Sequence, residues 1–152
     1  MKKYFIILMV LTFNSLAMAQ DCVPTQDSCG FYLCLEDKMQ CGYNGYPLRL
    51  GYRFCREIEK MKVKSVKLNL WLNTTRYCLQ EKLMNKTDLQ CNQLAYSSVK
   101  DHVSCYLDNG YCDLAKGEKK IIQKYISKSI LKAPKFIFMN AKALLSKGCN
   151  TH

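Results

Sequence analysis

Apolar residues recur at intervals of three and four along most of this chain, the spacing of one helix face. Leu50, Phe54, Ile58 and Met61 form such a stripe behind Pro47. Proline suits the first helical position, so a helix is expected over about 47–62. Leu68, Leu72, Thr75, Leu79 and Leu83 predict a second over roughly 65–85. Thr87-Asp88-Leu89-Gln90 reads as a capping box, in which the threonine hydroxyl takes a free amide and the glutamine reaches back. Behind it, Leu94, Ala95, Val99, His102 and Tyr106 mark a third helix that Asn109-Gly110 turns off. Ile122, Ile126 and Ile130 place a fourth over 118–132, which Ala133-Pro134 breaks; a last helix runs to Lys147 and is stopped by Gly148. Residues 20–46 hold Gly30, Gly42, Gly45 and four cysteines, and read as loop. No sustained strand alternation and no internal repeat occurs. The pattern predicts a compact all-α domain of about five helices with a loop-rich N-terminus.

The first residues follow a different logic. Lys2 and Lys3 precede an apolar run from Tyr4 to Phe13, and Ala17-Met18-Ala19 forms a small-residue cleavage motif before Gln20. That order is a secretory signal peptide over 1–19, too short and wrongly flanked for a membrane anchor. The alternative, a first core helix, accounts for neither the lysines nor the alanines. A single soluble domain over 20–152, secreted and extracellular, is the expectation, and no later stretch is apolar enough to span a bilayer.

The cysteines agree with that compartment. Ten of them, at 22, 29, 34, 41, 55, 78, 91, 105, 112 and 149, make an even set in a short chain. Such a set reads as five disulfides formed outside a reducing cytosol. A zinc site would want close C-x2-C pairs, and the chain has none. No metal and no cofactor is expected. Spacing alone leaves the pairing open.

Charge is distributed unevenly. Loss of the two leader lysines takes the formal net charge from +11 to +9. Residues 114–152 hold nine lysines and one acid, Glu118, so nearly all of the excess lies in this C-terminal helical pair. Lys116, Lys120, Lys124, Lys128 and Lys132 recur every four residues as one basic stripe. Such a stripe attracts a sulfated glycan, an anionic lipid surface or an acidic protein face. The plainer reading is a solvated face opposite the isoleucines, slightly weakened by its own like charges.

The cysteine order carries the most specific signal: C-x6-C-x4-C-x6-C-x13-C-x22-C-x12-C-x13-C-x6-C-x36-C. It includes CGFYLCLEDKMQC from Cys29 and CYLDNGYC from Cys105. This order resembles the stanniocalcins, secreted helical glycoprotein hormones. Their opening CG-x-F-x-CLE signature is matched by Cys29, Gly30, Cys34, Leu35 and Glu36, with Tyr32 in place of the phenylalanine. Their Cys-Tyr pair with a cysteine seven positions later is matched by Cys105, Tyr106 and Cys112. The resemblance spans about 22–149, although the gap between Cys41 and Cys55 is longer than in the family. It implies the pairs Cys22–Cys34, Cys29–Cys55, Cys41–Cys91, Cys78–Cys105 and Cys112–Cys149. It further implies an extracellular regulator, acting in animals on calcium and phosphate handling and as an inhibitor of secreted metalloproteases. The partner would then be an extracellular receptor or a secreted protease, with no nucleic acid. The chain departs from the family in two ways. The later cysteine that joins two vertebrate chains is missing, so a disulfide-linked dimer is not expected and a non-covalent homodimer stays open. The sequon beside the CLE signature is replaced by Glu36-Asp37-Lys38, and Asn73-Thr74-Thr75 and Asn85-Lys86-Thr87 stand as the glycosylation candidates.

Two rival classes compete with this reading. His102-Val103-Ser104-Cys105-Tyr106 resembles the H-D-x-C-Y helix of secreted phospholipases A2, but Val103 stands where that chemistry needs a calcium-binding aspartate. His102 is expected as a partly buried helix residue, and the protein as a non-enzyme with no catalytic residue. A cationic membrane-active protein of saposin or antimicrobial type would use the basic stripe together with Phe136-Ile137-Phe138-Met139. Saposins have fewer cysteines at other spacings.

Overall fold

The structure is a computed structural model that describes residues 21–130 together with 146, 147 and 149. Its elements run α1 (Gly30–Met39), a wide π-type turn (Pro47–Tyr52) leading straight into α2 (Arg53–Glu59), α3 (Val66–Met84), α4 (Cys91–Asp108), a short 3-10 turn (Tyr111–Asp113) and α5 (Lys116–Ile130). The described residues contain no strand, and the fold is an all-α, disulfide-linked domain.

Helix α1 is the element that periodicity did not reveal. Residues 21–29 and 40–45 lack regular helix, but between them Phe31, Tyr32 and Leu35 turn a buried face inward. The Ser28 hydroxyl takes the Gly30 amide at 3.0 Å, and Gln40, in the left-handed region at φ 51°, closes the far end on the Glu36 carbonyl. Its packing is unusually close. A Cβ at Gly51 would lie 2.3 Å from Cδ1 of Tyr32, so only glycine lets the π-type turn approach that ring.

Three boundaries differ from expectation. The 47–62 helix ends at Glu59, after which residues 61–65 form no regular element and Ser65, extended at φ -73° and ψ 120°, leads into α3. Thr87 does not cap α4. Residues 85–88 form a turn, Gln90 is the N-cap, and Gln93 reaches back to the Gln90 amide at 3.2 Å. The helix therefore starts beside Cys91, which the Cys41 bridge holds in place. α5 begins at Lys116, because Glu118 sits one turn inside it and accepts the Ala115 amide at 2.8 Å. The helix expected to end at Lys147 falls almost wholly outside the described residues.

Two apolar clusters fill the interior. One joins α2, α3, α4 and α5 through Ile58, Leu68, Trp71, Tyr106, Tyr111 and Ile122. There the Trp71 ring meets Tyr106 edge-on at 5.0 Å, and its Nε1 donates to the Tyr106 carbonyl at 3.4 Å. The other packs α1 against Tyr46, Leu83 and Leu94. The bridges join Cys22–Cys34, Cys29–Cys55, Cys41–Cys91, Cys78–Cys105 and Cys112–Cys149, the same five pairs that the family resemblance implies. The Cys29–Cys55, Cys41–Cys91 and Cys78–Cys105 bridges tie helices or their ends to one another. Burial of the two clusters and closure of these loops act together, since each bridge restricts the unfolded chain.

Candidate functional site

Arg76 and Gln80 interrupt the apolar stripe of α3, and both are buried. One turn apart, they clamp the N-terminal loop. Gln80 donates from Nε2 to the Ser28 carbonyl at 3.1 Å and accepts the Thr25 amide at 2.8 Å. Arg76 donates from Nη2 to the Gln26 carbonyl and to Oδ1 of Asn73, while Nη1 lies 3.9 Å from Glu59. Glu59 also receives Arg56. Arg76, Asn73, Glu59 and Arg56, with Asp27 and Asn69, line an open cleft of about 490 Å³. Two cations face two anions across it, so the cleft casts little net field. No charge pattern or motif marked it in the sequence; the signal that could have found it is polar residues at i and i+4 inside an apolar register.

Beside the cleft, a carboxylate oxygen of Glu59 lies 3.0 Å from Sγ of Cys29. Cys29, Cys55 and Glu59 are near enough together to hold an ion, but both sulfurs are spent in a bridge and offer no thiolate.

His102 lies on α4, half-buried, with its ring near Phe54 and Tyr106. Its Nδ1 meets the Ser98 carbonyl at 2.7 Å, which makes Nδ1–H the donor. Burial lowers its pKa from the ordinary 6.5, opposed by that hydrogen bond and by Asp101. Asp101 is itself held by Lys86, so the neighbouring carboxylate does not orient the ring. The imidazole is committed to the fold.

The basic stripe begins on the outer side of α5. Ile122 is buried, Lys116, Lys120 and Lys124 are exposed, and the side chain of Lys128 and all of Lys132 lie outside the described residues. Lys119 takes another role: it donates to the Cys112 carbonyl at 2.6 Å and lies 5.6 Å from the centre of the Tyr111 ring. Glu118 is turned to the protein body, where Ser65 donates to one carboxylate oxygen and the Ala115 amide to the other. These bonds hold its pKa below the usual carboxylate range.

The two sequons separate clearly. Asn85 caps the end of α3 and is exposed. Asn73 is mid-helix and half-buried, its Oδ1 engaged by Arg76, and Thr75 of its sequon is buried. Comparison with family models, with characterised proteins and with solved structures gives no match.

Proposed function

We propose that the chain is a secreted, stanniocalcin-like extracellular regulator that binds a protein partner and catalyses no reaction. The observation that carries this reading is the bridge order: five pairs in the sequence that the resemblance implies, on an all-α body. Disulfides at this density suit an oxidising compartment, in keeping with the leader motif ahead of Gln20. His102, Arg76 and Gln80 are engaged in holding the fold. Asn85 is the better glycan acceptor of the two sequons. The partner is an extracellular receptor or a secreted metalloprotease.

A second reading has its own support. The exposed lysines of α5 suit a cationic protein that settles on an anionic glycan or lipid surface. One experiment separates the two. The oxidised mature protein should inhibit a secreted metalloprotease in a near-stoichiometric titration, and reduction with alkylation should abolish this. Absence of inhibition, with retention on an anionic matrix, would favour the second reading.

A further inference from the structure

Four lysines stand between residues 60 and 67 with no acid among them. The segment 61–65 lies outside any regular element, and burial alternates along it. Met61 and Val63 pack against the apolar cluster of α2 to α5, while Lys60, Lys62 and Lys64 are exposed. Three lysine side chains of one short segment therefore reach solvent.

The fold sets this segment beside the start of α5, some fifty residues later in the chain. Ser65 donates to Glu118, and Lys67 donates from Nζ to the Asp113 carbonyl at 2.7 Å. Lys64 adjoins the first contact, and Lys116 and Lys120 flank Glu118. Over residues 60–67 and 113–120 seven lysines face two acids, and Glu118 is already occupied by Ser65 and Ala115. Lys60 is paired with Glu57 at 3.1 Å. Lys62, Lys64, Lys116 and Lys120 stay exposed.

We propose that these two segments form one composite site for a sulfated polysaccharide, in which Lys62 and Lys64 and the outer face of α5 engage a single chain. The inference rests on the second reading above, the attraction to an anionic surface, and names its ligand. A linear polyanion suits exposed cations drawn from two adjoining segments. A lipid surface would want apolar side chains between the lysines, and here Met61 and Val63 point inward.

Heparin is the probe. The oxidised protein should bind immobilised heparin and not its desulfated form, with affinity falling steeply as salt rises. Lys62→Gln/Lys64→Gln and Lys116→Gln/Lys120→Gln should each weaken binding by roughly tenfold and lower the salt slope by between about one and two. Lys82→Gln/Lys100→Gln is the control, since Lys82 lies sixteen residues along α3 from Val66, about 24 Å away. An equal loss in the control, or a loss confined to the α5 pair, would overturn the composite site and leave the anionic reading standing. Stronger binding to phosphatidylserine vesicles than to heparin would overturn the glycan. Binding to neither would remove the second reading with it.

Discussion

A single imidazole shows how residues here are used for stability. His102 is favoured as the neutral form in the fold because burial lowers its pKa from 6.5. The unfolded chain takes up the proton more readily. The stability it contributes is therefore present above pH 6.5 and is lost as pH falls through that value toward the lower one of the fold. Melting temperature measured from about pH 7.5 to about pH 5.5 should fall more steeply in the wild type than in His102→Gln. Equal slopes would show that the ring is not selected as neutral. The surroundings of this residue were only partly legible. Its place on a helix face follows from the spacing of Leu94, Val99 and Tyr106, but the Ser98 contact and the diversion of Asp101 to Lys86 follow from tertiary packing. Arg76 and Gln80 were harder still, since their partners Gln26 and Ser28 lie about fifty residues earlier in an irregular loop.

At the level of elements, the helices that bury one broad apolar face are those that periodicity found. α3 and α4 carry such faces in Leu68, Leu72, Leu79 and Leu83 and in Leu94, Val103 and Tyr106. α1 escaped because glycine and cysteine crowd its ends and only three residues of its ten are buried. Boundaries depended on caps, and one cap does double duty. The Ser65 hydroxyl accepts the Leu68 amide at 3.2 Å and donates to Glu118, so it both starts α3 and holds α5 against it. Ser65→Ala should lower stability by about 1 kcal/mol in urea unfolding, the usual worth of an N-cap, with a further loss from freeing Glu118. Ser65→Thr should restore most of it. If the alanine variant unfolds at the wild-type midpoint, the cap is not a stabilising one.

For the molecule as a whole, the two apolar clusters are joined across chain segments that are distant in sequence. Cys41–Cys91 spans 50 residues and pins the end of α1 to the start of α4, next to the fully buried Leu94. Its replacement by two serines, with the other four bridges intact, should cost about 2–4 kcal/mol, read as a shift of the unfolding midpoint from the wild type. A negligible shift would mean that apolar packing alone holds α1. Overall architecture was legible as all-α and disulfide-linked, and the cysteine pairs followed from family resemblance rather than from spacing. What stayed hidden was adjacency. Lys62 and Lys64 alternate with Met61 and Val63 in the sequence, but only the Ser65–Glu118 and Lys67–Asp113 contacts bring that segment to α5.

The order of the bridges also decides what a protease can accomplish. The loops closed by Cys22–Cys34, Cys29–Cys55, Cys41–Cys91 and Cys78–Cys105 overlap one after another, so every peptide bond from residue 22 to 105 lies within at least one of them. Cys112–Cys149 closes a separate loop. A nick inside either stretch leaves the halves covalently attached until a reductant arrives. Between Cys105 and Cys112, where Gly110 turns the chain at φ 82°, no bridge crosses the backbone. A single cut there would divide the protein into a helical body and a basic fragment, each still closed by its own disulfides.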